Sequence, residues 1–192
     1  NHVNFDGKNV ADLVEEELEH LMASKFLIID VRENGGGNSS LAEKLAGRFV
    51  KKATHYGTVL KRQTRKDELA SSDLELKPQG DFLDKKVVVL TGPKCLSSNE
   101  MFIMMMKDTG IAETIGQTTG GGSGNPKSFE IPLKGKTYTL TVSSWKMLRN
   151  NGSNLESVGI EPDLPVAITT EDVVSRRDVE LETAKKYFQS SI

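Results

Sequence analysis

Two short apolar runs, Phe26–Val31 (F-L-I-I-D-V) and Lys86–Thr91 (K-V-V-V-L-T), are nearly continuous where a half-exposed strand would alternate. Such runs belong to strands covered on both faces, as in a sheet enclosed between layers. Each run leads into a loop and then a helical pattern. Arg32-Glu33-Asn34-Gly35-Gly36-Gly37-Asn38 precedes the amphipathic stretch Leu41–Val50, and the turn after Thr91 leads to Ser97 and a helix over Asn99–Lys107. The same alternation continues elsewhere. Val10–Met22 reads as helix, Thr54–Thr64 as a strand region, Ala112–Ile115 and Thr137–Ser144 as strands, Leu164–Ile168 as a terminal strand and Glu171–Gln189 as a final helix. Strands alternating with helices imply a parallel sheet joined by crossovers, an α/β fold. Lys66–Asp84, charged and carrying Pro78-Gln79-Gly80, reads as an exposed connection.

Ser97 stands where a turn meets a helix, and it carries two readings. Ser97-Ser98-Asn99-Glu100 fits the S-x-x-E capping box, in which the hydroxyl only satisfies a helix N–H. A hydroxyl exposed on such a turn, beside unpaired helix N–H groups, can also act as a nucleophile with an oxyanion site at hand. The glycine run has two readings as well. It is either a plain turn or a loop whose backbone N–H groups come close to a bound group. As a phosphate loop it fails, because neither G-K-[ST] nor G-x-G-x-x-G is present.

A serine nucleophile needs a base, and the three histidines, His2, His20 and His55, do not supply an obvious one. His20 falls on the polar side of the Val10–Met22 stripe, His55 lies in a polar stretch, and His2 belongs to the H-V-N-F alternation, from which it could face a cleft. Lys146, between Trp145 and Met147, is a possible substitute base, while Trp145 and Met147 read as core or pocket lining. Met101–Met106 is apolar nearly all round and reads as a buried wall. Cys95 is the only cysteine, so no intrachain disulfide forms, and a lone thiol beside an apolar strand is ordinarily buried. No His/Cys/Asp cluster has metal-ligand spacing, and no cofactor is implied. The net charge of −2 gives no footprint for nucleic acid or an anionic membrane. No apolar run approaches the ~20 residues that span a bilayer. At 192 residues the chain suits one compact core, so residues 1–192 are expected to form a single domain.

Four motifs in order resemble the S41 family of serine peptidases, the tail-specific or C-terminal processing proteases and their tricorn-like branch. They are D-V-R-E-N-G-G-G at Asp30–Gly37, V-V-V-L-T-G-P-K-C-L-S-S-N-E-M-F at Val87–Phe102, I-G-Q-T-T-G-G-G-S-G-N-P at Ile115–Pro126 and G-I-E-P-D at Gly159–Asp163. The resemblance implies a ClpP/crotonase-like spiral core of mostly parallel strands with crossover helices, acting on a peptide or protein substrate. It implies Ser97 as nucleophile, the Ser98 N–H with that of Gly36 or Gly37 as oxyanion hole, and Glu156 as a supporting carboxylate. Processing proteases place a lysine base where Gly120–Gly124 stand here, so the resemblance points to the tricorn-like branch, whose base is an upstream histidine. His2-Val3-Asn4-Phe5 looks like the tail of a strand already under way, so the expectation is a core truncated at its N-terminus and completed by an upstream domain. An extracytoplasmic location is implied by the resemblance alone. Two other classes remain open: a non-hydrolytic binder on the same fold, like the retinoid-binding proteins, and a crotonase-like acyl-CoA enzyme.

Overall fold

The computed structural model describes residues 10–20, 23–63 and 68–190, so His2 lies outside the described residues. In chain order the elements begin with α1 (Val10–His20), β1 (Phe26–Asp30), α2 (Ser39–Ala46) with a following 3-10 turn (Gly47–Phe49), β2 (Thr54–Arg62), β3 (Leu69–Leu76) and β4 (Lys86–Thr91). They continue with α3 (Ser98–Lys107), β5 (Ala112–Gly116), β6 (Lys127–Leu133), β7 (Lys136–Val142), β8 (Lys146–Arg149), β9 (Leu164–Pro165), α4 (Thr170–Val174) and α5 (Val179–Gln189).

The two apolar runs lie side by side. A parallel sheet has the order β1-β4-β5-β9, with Ile28 opposite Val88 and Val89 opposite Thr114. Its strands are apolar on both faces because both are covered. Val87 and Val89 enter the main core with Tyr56, Leu76 and Met101–Met106, while Val88 and Leu90 meet Ile115, Ala184 and Phe188 under α5. The apolar stretch of α3 is the wall its composition suggests, with Met101–Met106 buried. It approaches β2 closely: a Cβ on Gly57 would lie 2.7 Å from the Met104 methyl carbon and 2.7 Å from the Leu148 carbonyl oxygen, and the backbone oxygen leaves no room for a larger residue.

The core thus holds a parallel sheet, as the resemblance implied, and two antiparallel units are added to it: β3-β2-β8 and the ribbon β6-β7. Residues 69–76 correct the reading of Lys66–Asp84 as a connection, since they pair with β2 over its length. The pattern L-A-S-S-D-L-E-L carries one lightly apolar face and one charged face, as befits an edge strand, and its charge masked the period. Pro132 similarly obscured β6, but β6 pairs only with β7 among the described residues, where a proline is tolerated. The helix expected over Glu171–Gln189 is two helices. Arg176 takes φ 55° and Asp178 caps α5 by accepting from the Leu181 N–H, so a new N-terminus starts there.

Parallel order has a direct consequence for function. β1, β4 and β5 end on the same side of the sheet, so the loops after them emerge next to one another, the usual place for a site in an open α/β sheet. Those loops carry the glycine run, Ser97 and the G-G-G-S-G segment.

The packing makes a simple stability prediction. Met105→Ala, at a site with no solvent exposure, should cost about 2–5 kcal/mol in urea unfolding. Val174→Ala, on an exposed surface, should change stability by no more than about 0.5 kcal/mol.

Candidate active site

The site starts from a strained turn. After β4 the chain folds back, with the Cys95 N–H donating to the Gly92 carbonyl at 3.0 Å, and reaches Ser97 at φ 58°, ψ −130°. Those angles are near the first central position of a type II′ turn, where glycine is the usual occupant. A serine there costs roughly 1–3 kcal/mol and persists only if its surroundings hold it. They do so through the backbone: the Ser97 N–H donates to Gly122 O at 2.8 Å, and Ser97 O accepts from the N–H of Glu100 at 2.9 Å and from Ser123 Oγ at 3.1 Å. The Ser97 side chain makes no capping bond and is only half-buried. The capping-box reading therefore fails, and the hydroxyl stands at the start of α3 with no described side chain bonded to it.

The next three residues each brace a different part of the site. Buried Asn99 reaches the glycine loop, its Nδ2 donating to Val31 O at 3.0 Å and Asn34 O at 2.8 Å. This draws the loop onto the elbow. At Gly36, with φ 104°, a Cβ would lie 2.6 Å from Ser97 Cβ and 3.2 Å from Ser98 N, so no side chain fits. The Gly36 N–H is already engaged, donating to Asn34 Oδ1 at 2.8 Å. The N–H groups of Gly37 and Ser98 have no acceptor among the described residues, and Ser98 opens a helix whose dipole favours a negative charge at that end. Of the two loop donors considered from the sequence, Gly37 is the one left available.

Glu100 does not reach back to cap. Its fully buried carboxylate accepts four hydrogen bonds from the loop after β5: Thr119 Oγ1 at 2.5 Å, Gly121 N–H and Gly122 N–H at 2.8 Å each, and Ser123 Oγ at 3.0 Å. That loop in turn receives Glu156, whose Oε1 accepts from the Ser123 N–H at 3.0 Å. Burial lifts the Glu156 carboxyl above the ordinary glutamate range, the Ser123 bond opposes this, and the neighbouring charge of Glu100 adds to the lift. The Ser157 N–H donates to Gly121 O, and the Gly159–Asp163 turn is joined to the same loop through Ile160 and Thr119. Trp145 Nε1 donates to Ser123 O, so Trp145 packs beside the site, whereas Met147 is core.

Other candidates sit elsewhere. His55 contacts Thr58 and Asp73, and His20 pairs with Glu17, all of them away from Ser97. Lys146 is exposed on β8 and has no bond to Ser97. The Cys95 thiol donates to Val31 O at 3.1 Å, and burial pushes its pKa up to about 11, which keeps it protonated and unreactive at neutral pH. Among the described residues no group of three or more His, Cys, Asp or Glu could hold a metal ion.

The model of peptidase family S41 matches residues 3–166. The chain belongs to peptidase family S41. It is 30% identical over 148 residues, 77% of its length, to the Staphylococcus epidermidis protein named "Probable CtpA-like serine protease", of which it covers 29%. It is 29% identical over 175 residues, 88% of its length, to the tricorn protease homolog of Saccharolobus solfataricus, of which it covers 15%. A crystal structure from Parabacteroides merdae, 29% identical, superposes with a TM-score of 0.82 over 95% of this chain and 58% of that one. The chain thus spans under a third of the length of these two curated relatives.

Of the groups that this S41 core brings together around Ser97, the sequence pattern singled out Ser98, the glycine loop and, joined through Ser123, Glu156. It missed Asn99 and Ser123, and it misassigned Glu100, whose spacing from Ser97 matched a local motif while its real partners lie about twenty residues on.

The strain at Ser97 predicts that Ser97→Gly stabilises the protein, by about 1 kcal/mol in urea unfolding, despite glycine's extra backbone freedom. Ser97→Ala, with no cap bond to lose, should shift stability by no more than about 0.5 kcal/mol. Glu156 makes a second prediction. A carboxyl whose folded pKa is raised favours folding at low pH, and that contribution is lost as pH rises through the raised value. Glu156→Gln, which stays neutral, should therefore gain stability relative to the parent as pH is raised from about 4 to 7, as read from unfolding midpoints at each pH.

Proposed function

We propose that this chain is the catalytic core of a serine endopeptidase that hydrolyses peptide bonds through an acyl-enzyme on Ser97. The observation that carries the reading is the Ser97 elbow: a half-buried hydroxyl held at φ 58° at a helix N-terminus, with no structural bond to make, pressed against a glycine that admits no side chain. Strain kept at a residue with no structural use of its side chain is characteristic of a functional position. Membership of S41 agrees with it.

In this reading Ser97 Oγ attacks the scissile carbonyl carbon and passes its proton to a base. The N–H groups of Ser98 and Gly37 receive the oxyanion, the leaving amine takes the proton, and water releases the acyl group. Glu156 supports the site through Ser123. The base comes from outside the described residues, because no described histidine or lysine bonds Ser97, and an upstream domain of the same protein would complete a single core formed by residues 1–192. The substrate is a peptide or protein segment in extended form. Among the described residues β1 pairs only with β4, which leaves its other edge, beside the glycine loop, for backbone pairing with little demand on side chains.

A fluorophosphonate probe on the full-length protein should form an adduct at Ser97, and Ser97→Ala should lose both adduct and peptide turnover. Gly37→Val should lower turnover by about 10²–10³-fold, as expected when one oxyanion donor is displaced. Undiminished turnover in a folded Ser97→Ala variant would rule out the assignment.

A further inference from the structure

Arg32 lies between β1 and the glycine run, and all five of its N–H donors meet carboxylates. Nε donates to Asp30 Oδ1 at 2.9 Å and Nη2 to Asp30 Oδ2 at 2.6 Å. Nη1 and Nη2 both donate to Asp178, each at 2.8 Å, and Nη1 also donates to Glu180 Oε2 at 2.7 Å. Asp30 is local, but Asp178 and Glu180 come from the start of α5, which lies beyond the residues matched by the S41 family model.

Glu180 has a second attachment. Only 3% exposed, it uses Oε1 to accept from Gln117 Nε2 at 3.2 Å. Gln117 is held to the end of β4 by two bonds, its N–H to Thr91 O and Thr91 Oγ1 to its own carbonyl, both at 2.9 Å. Two residues later comes Thr119, the first of the loop residues that hold Glu100. One oxygen of Glu180 thus holds the stem of the glycine loop and the other holds the stem of the 119–123 loop, the two segments that contact Ser97 from either side.

We propose that α5 is a positioning element of the site, with Asp178 and Glu180 setting the separation of the two loops around Ser97 through Arg32 and Gln117. The catalytic part of this proposal rests on the reading of Ser97 as nucleophile, and its geometric part does not. A buried carboxylate is retained when both oxygens are engaged, and here they are engaged on two different loops. The stem of Arg32 also packs on the turn that leads to Ser97, since a Cβ on Gly92 would lie 3.6 Å from Arg32 Cβ. Loss of the tie should displace the donors from the hydroxyl and leave substrate binding largely intact, because the edge of β1 is built by strand pairing with β4.

The test compares Glu180→Ala, Glu180→Gln, Gln117→Ala and Leu76→Ala in the full-length protein by hydrogen exchange and by peptide kinetics. Leu76 is fully buried on β3, outside α5 and both loops, so it serves as a control for stability alone. In Glu180→Ala, amide protection over residues 34–37 and 119–123 should fall by roughly 10-fold relative to the β4 core. Its kcat should fall by about 10–100-fold with KM nearly unchanged, the signature of misplaced rather than missing groups. Glu180→Gln, which keeps the length and one acceptor, should recover most of both. Gln117→Ala should loosen 119–123 and leave 34–37 protected, and it decides the matter if Glu180→Ala does not fold. Unchanged loop protection in Glu180→Ala or Gln117→Ala would overturn the proposal, as would Leu76→Ala reproducing the kcat loss at an equal loss of stability. If the parent protein hydrolyses no peptide, the exchange measurements still decide the positioning proposal, and it is the peptidase reading that fails.

Discussion

The arrangement around Ser97 depends on one buried carboxylate. Glu100 is shut off from water, and in such surroundings an acid side chain is tolerated only when its oxygens are met by donors. It receives four, from Thr119, Gly121, Gly122 and Ser123, and in doing so fixes a loop rich in glycine that has little apolar content to hold it. That loop then supplies the Gly122 carbonyl and Ser123 hydroxyl that bind the backbone of Ser97. The strained turn is thus held by a network whose centre is three residues further along the same helix. Polar networks of this kind are cooperative: fully bonded they rigidify, and with one member missing they leave a buried group without a partner.

Four consecutive residues divide the work. Ser97 carries the hydroxyl, Ser98 an available N–H, Asn99 the bonds that draw the glycine loop onto the elbow, and Glu100 the bonds that hold the loop after β5. They can face different ways because the chain changes direction at Ser97 and then enters a helix, whose successive side chains are about 100° apart. The helix itself cannot drift, since Met101–Met106 embed it between the parallel sheet and β2. A helix that is apolar nearly all round is stable only when it is buried on nearly every side, as this one is.

Much of this was legible in the sequence. The continuous runs Phe26–Val31 and Lys86–Thr91 announced strands covered on both faces, and the structure places them as neighbours in a parallel sheet, with β1 at its edge. The glycine run and Ser97 were marked by their positions after those strands. The edge strand β3 was obscured by its charged face, β6 by Pro132, and the break before α5 by a helical pattern that runs through Ser175–Asp178. In each case a local preference competed with a partner that lies far away in the chain, and the partner prevailed.

Local pattern determined which segments are strands, where the turns fall and which hydroxyl stands at a helix N-terminus, because period, glycine and apolar content act over a few residues. The sequence left open whether Ser97 caps its helix or is free of it, since S-x-x-E satisfies the local rule either way. Tertiary structure decided that point. Donors from residues 119–123 claim the Glu100 carboxylate, and a carbonyl at Gly122 claims the Ser97 N–H, so the capping box has no members left to form it. Only the fold could bring those groups together, because the parallel order β1-β4-β5 sets three loops side by side that are separated by dozens of residues in the chain.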